Sequence, residues 1–523
     1  MSLMLKFWQQ LTSYCQRNKR HLLILFITAL VIRLIYFCTH LSFTQDQVRD
    51  VLLIKEHLVS FNFYIPLGPA AASYSNFNVL PFYYYLQLAA HLFFGNTFYS
   101  MNILTILLES CSTVMMYYLL SRTGLKKKLS FLGSLLYALT PATISLVDTA
   151  WNPSFAPFFT IILLISGLWY LLDNRHYGLI IHLLTMVIFT GFHFQWFVLL
   201  PLVLVVIGKA VWRLKDTWKS LLIALAASLV IMSPYLYSEV TTNFQNLHGS
   251  LEFLTNGPTN FERISKPDYL IYFFPNFYNR VFFDQYFVYS WTWLYEINTG
   301  IEFKLILNSL CFWSIFVFNV WQAFCQRRRR SGKWLGSTIL IFISMTIFLR
   351  FYKGDKPDYF LNVFIPFIFV WLTQVLNCFH LEKVQIGLVV SIVLVGHFIL
   401  WRQPIYNQYH DYQTIVNKIK DADSERQIVI LNQEIEGPIR YFLPDENYVS
   451  TPSAVVKNII FVCYASQECA SYRPNINSKD NIFQYNFLSP LNYGITYEHY
   501  DSYKSGGWFT KTLEGFLVVN DLP

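Results

Sequence analysis

Long apolar runs separated by short polar stretches dominate this chain. Runs suited to helices lie near 22–39, 99–121, 129–147, 155–172, 178–190, 193–209, 220–237, 303–324, 335–350, 359–379 and 384–401. At 1.5 Å per residue the longer ones cross a hydrocarbon core of about 30 Å. The runs 178–190 and 193–209 are short and read either as two spans or as one long broken helix. A further apolar stretch, VLPFYYYLQLAAHLFF at 79–94, carries Pro81 at its start and then Tyr83-Tyr84-Tyr85. That composition suits a helix lying along the membrane face rather than across it. The aromatic stretch 269–288 has the same character.

Basic residues between the runs set the direction. Arg17, Lys19 and Arg20 precede the first run and place the N-terminus in the cytoplasm. Three later clusters should lie on that side too: Arg122 with Lys126, Lys127 and Lys128; Lys209, Arg213, Lys215 and Lys219; and Arg327, Arg328, Arg329 and Arg330 with Lys333. All do so if eleven runs cross and neither 79–94 nor 269–288 does. Segments 40–98, 238–302 and everything after about 402 are then outside. Loops of that length exceed what connection requires, so binding or chemistry is expected on the outer face. No small-residue cleavage pattern follows the first run, which reads as an uncleaved helix.

Composition excludes a water-soluble globular protein. Of 523 residues 54% are hydrophobic and 13% charged, against roughly 25% charged in soluble domains. The formal charge of +8 resides largely in the short basic clusters, so it marks topology rather than a nucleic-acid surface. No Cys-x-x-Cys pattern is present, and a metal cluster is not expected. Cys463 and Cys469 are the cysteine pair of the tail, where a disulfide is expected only in an oxidising compartment.

The tail changes character. A helical stretch near Asp411–Ala422 is followed by β-branched runs at 427–433, 457–464 and 516–520, bounded by Pro, Gly and Asn. This pattern suggests a small mixed α/β domain. The expected architecture is a polytopic α-helical membrane domain over 1–402 and a soluble extracytoplasmic α/β domain over 403–523.

Candidate chemistry gathers in the outer segments. FTQDQVRD places Asp46 and Asp50 just beyond the first run, four residues apart and so on one helix face, with Arg49 between them. Two readings fit: a general base at the membrane surface, or a solvated helix start with Asp46 as a local cap. Arg33 lies inside the first run, where a guanidinium needs a partner, and Glu109 in the run 99–121 is the expected one. Asp148 opens the outer loop before WNPSFAPFF and shares the outer side with Asp46. His193 and Gln195 occupy another outer turn, suited either to a hydroxylated ligand or to a plain interfacial role. Tyr84 belongs to the interfacial segment, and Glu239 ends MSPYLYSE. RFYKGDKPDYF brings Arg350, Lys353 and Lys356 to the outer side, against the positive-inside pattern. They suit a substrate phosphate, joined by Arg280, or ordinary lipid headgroups.

Arg33-Leu34, the acidic motif at Asp46, LPFYYYLQLAAHLFFG, WNPSFAPFF, MSPYLYSE and DYFLNVFIPFIF together carry a resemblance. In order and topology the chain resembles the bacterial GT-C membrane glycosyltransferases of the protein-mannosyltransferase-like group, over most of 20–440. That group includes the aminoarabinose transferase of lipid A modification. The resemblance implies inverting transfer of a sugar from a polyprenyl-phosphate donor to an envelope acceptor (lipid A, another glycan, a lipid or a protein) at the outer face of a bacterial inner membrane. It makes Asp46 the base, Asp148 a second acid lining the cavity, and the loop from Arg350 to Lys356 the partner of the donor phosphate. No cofactor is required. Gln47, where an acidic or small residue is common, and Asp50, where an aromatic is common, give little basis for a bound divalent cation. The absence of nucleotide motifs agrees with an already activated donor. An envelope polysaccharide polymerase or ligase and a membrane transporter are the competing readings.

Overall fold

All eleven apolar runs lie in helices of the computed structural model. It describes residues 2–71, 77–256, 281, 299–351, 358–379 and 381–401, and beyond these 406–407, 409–410, 413, 416–417, 427–430, 441–442, 458–463, 482–486 and 515–520. In chain order the helices are α1 (Ser2–Thr39), α2 (Gln45–Val59), α3 (Phe82–Phe94), α4 (Ser100–Arg122), α5 (Lys127–Leu139), α6 (Pro141–Ile144), α7 (Leu146–Thr149), α8 (Ala156–Asp173) and α9 (His176–Phe189). They continue as α10 (Leu200–Trp212), α11 (Leu214–Thr241), α12 (Gln245–Asn256), α13 (Thr299–Cys325), α14 (Arg330–Phe351), α15 (Ile365–Leu376) and α16 (Glu382–Leu400).

Among the described residues six helical segments are long and apolar enough to cross a membrane. A seventh arises if Lys127–Leu139 and Pro141–Thr149, bent by 66°, form one span. The bend has a local cause: Pro141 drives Thr140 into extended backbone, at ψ 137°. His176–Phe189, Ser309–Cys325 and Leu361–Leu376 are shorter apolar helices. The chain is a multi-pass membrane protein. Large apolar side chains along α1 and α11, among them Ile24, Val31, Leu222 and Val230, are exposed, as lipid-facing positions require.

The two short runs form separate helices, α9 and α10, with a 3-10 turn at Phe194–Leu199 leading into α10. The tyrosine-rich stretch is α3, whose 13 residues span about 20 Å, too short for the hydrocarbon core. It buries Tyr83, Tyr84, Gln87, Leu88 and His91, a helical stripe, and leaves Leu92 and Phe93 exposed. The companion stretch 269–288 lies, but for position 281, outside the described residues.

The chain divides into two compact units: Met1–Tyr36 with Phe61–Arg402, and Phe37–Ser60 with Gln403–Pro523. In the first, α8 packs on α4 and α9, α4 on α5, α5 on α15, and α13 on α14. Small residues permit the closest of these approaches. A Cβ on Gly178 of α9 would stand 2.7 Å from the Ser166 carbonyl of α8. Across the same seam His182 Nδ1 lies 3.1 Å from the Leu163 carbonyl. Trp371, 1% exposed, packs among Phe316, Phe342 and Phe367.

The basic clusters meet one another. Asp173, at the end of α8, is paired with Arg122, Arg175 and Arg330. Next to it Asn174 Oδ1 accepts from Lys209 Nζ and Arg213 Nη1, each at 2.9 Å. One end of this unit therefore gathers the loops that follow α4, α8 and α10 and the loop that precedes α14.

In the second unit, β1 (His40–Leu41) pairs in parallel with β2 (Tyr406–Asn407). A mixed four-stranded sheet has the order β3-β4-β6-β5, built from β3 (Gln427–Ile430), β4 (Asn458–Cys463), β5 (Ile482–Asn486) and β6 (Gly515–Asn520). β3 and β4 are parallel; β6 runs antiparallel to β4 and to β5. Three of these strands match the expected β-branched runs. β5 was not expected, because IFQYN is short and Ile482 is its one β-branched residue. The described residues of the expected helix near 411–422 are helical at 413 and 416–417. The Cys463–Cys469 disulfide lies outside what is described.

Candidate active site

The segment after the first span is shaped by its polar residues. Thr44 caps α2: its hydroxyl accepts from the Gln47 backbone N–H at 3.4 Å, and Gln47 Oε1 accepts from the Thr44 backbone N–H at 2.9 Å. This reciprocal pair satisfies two of the helix's orphan donors. Asp46 is therefore not the cap. It sits in the first turn, where a carboxylate also suits the helix dipole.

Helical periodicity then separates the two carboxylates. Gln47, Asp50, Val51 and Ile54 share the buried stripe of α2, at 4%, 0%, 2% and 0% exposure. Asp46 and Arg49 stand at its margin, with side chains 38% and 45% exposed. Arg49 spans the pair. Its Nη1 donates to Asp46 Oδ1 at 2.8 Å, and its Nε and Nη2 donate to Asp50 Oδ1 at 2.9 and 2.8 Å. Asp50 is thus a buried anchor for the guanidinium, and Asp46 is the carboxylate that solvent reaches.

In the other unit, a second polar cluster surrounds Asp148, which is 7% exposed. Asn102 of α4 donates from Nδ2 to the carbonyls of Val147 and Asp148 at 2.8 and 3.1 Å, and the Thr149 hydroxyl donates to Asp148 Oδ1 at 3.0 Å. Ala150 follows in the left-handed region at φ 42°, a conformation that costs a residue with a Cβ about 1–3 kcal/mol. Its carbonyl accepts from Tyr83 Oη at 3.4 Å, and Tyr83 N–H donates to Gly191. Asn152 Nδ2 donates to the Phe192 carbonyl at 2.7 Å, and Gln195 Nε2 to the Pro153 carbonyl at 3.1 Å. His193 caps the turn at Phe194–Leu199, its Nδ1 accepting from Gln195 N–H, and its ring lies 6.4 Å from Trp151. Asp148, His193 and Gln195 are therefore brought together, as parts of two turns sewn by carboxamides.

The remaining candidates are dispersed. Tyr84 is buried against Tyr83, ring centroids 5.8 Å apart. Glu239 Oε2 accepts from Leu247 N–H at 3.3 Å and so caps the start of α12. Arg350 lies in the last turn of α14 with its side chain outside the described set, as are Lys353, Lys356 and Arg280 altogether. Arg33 and Glu109, both 0% exposed, form no direct salt bridge. Arg33 Nη1 donates to the carbonyls of Ala29 and Ala138 at 3.2 and 3.3 Å, and Tyr137 Oη donates to Glu109 Oε2 at 3.3 Å. The expected partners share a neighbourhood, but α5 supplies the hydrogen bonds between them. Among the described residues no group of three or more His, Cys, Asp and Glu side chains is placed to hold a metal ion.

Sequence reasoning missed Asn102, Asn152 and the Thr44–Gln47 cap. The first two bond to carbonyls 45 and 40 residues away, and nothing local marks them. The cap was legible, since Thr-x-x-Gln before an apolar run is a helix-start signature.

No protein-family model matches the chain, and no curated protein matches it in sequence. Solved structures do. ArnT from Cupriavidus metallidurans bound to undecaprenyl phosphate superposes with a TM-score of 0.59 at 12% identity, covering 95% of this chain and 97% of that one. The same protein in its apo state gives 0.53 at 13% identity, covering 87% and 95%. At such identity the likeness is one of fold: the chain has the GT-C membrane fold of ArnT.

Proposed function

We propose that this protein transfers a sugar from a polyprenyl-phosphate donor to a hydroxyl-bearing acceptor of the bacterial cell envelope, at the extracytoplasmic face of the inner membrane, with Asp46 as the base. One observation carries the reading. In a chain with the fold of ArnT, the first turn of the capped helix beyond α1 presents an accessible carboxylate, Asp46, with Arg49 beside it and Asp50 buried beneath. The likeness to a structure that holds undecaprenyl phosphate supports the donor class.

The chemistry is one displacement. The Asp46 carboxylate takes the proton of the acceptor hydroxyl as that oxygen attacks the anomeric carbon. The bond from that carbon to the phosphate oxygen breaks, and the electron pair leaves with the polyprenyl phosphate. A single displacement inverts the anomeric centre. Arg49 keeps the carboxylate in one rotamer, so little reorganisation is needed as charge moves. Positive charge from the segment Arg350–Lys356 is assigned to the departing phosphate. Asp148 and the two turns around it form a separate polar surface in the membrane unit, where a rigid backbone matters more than acidity.

The test is transfer of radiolabelled sugar from synthetic polyprenyl-phosphate donors to total envelope acceptors, with purified protein in lipid and an Asp46→Asn variant. Transfer lost in the variant with donor binding retained supports class and base together. Transfer only from diphosphate-linked glycans would move the chain to the polymerases, and no donor binding at all would favour a transporter.

A further inference from the structure

Apart from Phe37–Ser60, the unit that contains α2 is built from Gln403–Pro523. Three contacts tie that C-terminal chain to the segment around Asp46. β1 pairs with β2, His40 opposite Tyr406 and Leu41 opposite Asn407. Phe43, 1% exposed, lies among the rings of Tyr409, Tyr441 and Phe442 at 5.1, 5.4 and 5.6 Å. Lys55, toward the other end of α2, donates from Nζ to Tyr441 Oη at 2.8 Å and stands 4.0 Å from the centroid of the same ring. Tyr441 therefore touches the chain on both sides of Asp46: its ring meets Phe43 before the helix, and its hydroxyl meets Lys55 within it.

We propose that Tyr441 is a positioning residue for the Asp46 helix, acting through Phe43 and Lys55. The proposal rests on the reading of Asp46 as base. A helix of 15 residues is marginal by itself in water and depends on tertiary anchors. The Thr44–Gln47 cap fixes where α2 begins, and Arg49 fixes the Asp46 rotamer. Neither sets the helix axis. Anchors on either side of the base, converging on one ring, do so. Tilting α2 by an ångström at Asp46 leaves donor binding intact but moves the carboxylate from the acceptor proton, and displacements of that size cost up to about 10²-fold in rate. The Phe43 contacts are apolar stacking, whereas the Lys55 contact combines a hydrogen bond with a cation–π interaction, so the two are separable by substitution.

The experiment uses the full chain in lipid nanodiscs, with Tyr441→Phe, Lys55→Met, Lys55→Arg and Asp46→Asn. It measures kcat, donor KM and hydrogen exchange of the amides of 45–59. Tyr441→Phe and Lys55→Met should each lower kcat about tenfold, leave donor KM within about twofold, and accelerate exchange in α2 but not in α8. Lys55→Arg should recover most of both losses. Asp46→Asn should lower kcat at least about a hundredfold without changing exchange. Unchanged kcat and exchange in both Tyr441→Phe and Lys55→Met would overturn the proposal. So would a rise in donor KM alone, which would make Lys55 a donor ligand, or accelerated exchange in α2 and α8 alike, which is global destabilisation. Transfer that survives Asp46→Asn, with α2 exchange still accelerated in Tyr441→Phe, would remove the base and leave the hold on α2 standing.

Discussion

Asp46 and Asp148 are both acidic residues flanking a span, and the chain treats them differently. Asp46 rises from the first turn of a capped helix, 38% exposed, with Arg49 at its edge. Asp148 is 7% exposed and sits where Asn102 binds its own carbonyl and Thr149 binds its carboxylate. Around Asp46 the polar groups steady one side chain. Around Asp148 they steady a backbone, including the left-handed Ala150. The first arrangement suits proton transfer, which needs an accessible carboxylate of fixed direction. The second suits a wall whose shape must persist.

Substitutions can break that contrast. The largest expected effect is that of Asp46→Asn, a fall in kcat of about 10²–10⁴-fold. Its thermal stability should stay near wild type, because an exposed ion pair contributes about 0–1 kcal/mol. Turnover and a melting curve on the same preparation check both halves.

Asp50→Ala should act through stability instead. It strips Arg49 of two hydrogen bonds on a buried carboxylate, a loss of about 1–3 kcal/mol, with a secondary fall in turnover as Arg49 loosens. Chemical denaturation compared with Asp46→Asn separates the two roles.

Asp148→Asn keeps an oxygen to accept from Thr149, so the wall survives and turnover should fall less than about tenfold, a small factor beside that for a lost base. A loss as large as that of Asp46→Asn would erase the distinction and give Asp148 a chemical role.

The smallest effect is a pH dependence. Burial holds the Lys55 ammonium below its ordinary value. The folded chain then binds that proton less tightly than the unfolded chain, so the burial of this charge opposes folding at neutral pH, against the anchoring contacts with Tyr441. Its penalty is relieved as pH rises from the lowered value through the ordinary lysine value near 10.4. The melting temperature of wild type should therefore rise relative to that of Lys55→Met toward alkaline pH.

Hydropathy made the membrane unit legible, because each apolar run must close its own hydrogen bonds and only a helix does so in lipid. The short length of α3 follows from the same pattern. Asp46 was legible as a position, since a carboxylate just beyond a span stands out against apolar neighbours. Its distinction from Asp50 was half legible: spacing placed both on one side of a helix, but which one is buried depends on the stripe of Gln47, Val51 and Ile54. The turn network was not legible, because Asn152 meets Phe192 and Gln195 meets Pro153 only after α8 and α9 have packed. Nor was the bond of Lys55 to Tyr441, 386 residues apart and marked by no periodicity at either end.

The most direct measurement is single-turnover transfer from a bound polyprenyl-phosphate sugar in wild type and Asp46→Asn, with the donor dissociation constant determined for each. The account predicts equal donor affinity, a chemical step slowed at least about a hundredfold in the variant, and an inverted anomeric configuration in the product. An unchanged chemical step, or a product with retained configuration, would contradict Asp46 as the base of a single displacement.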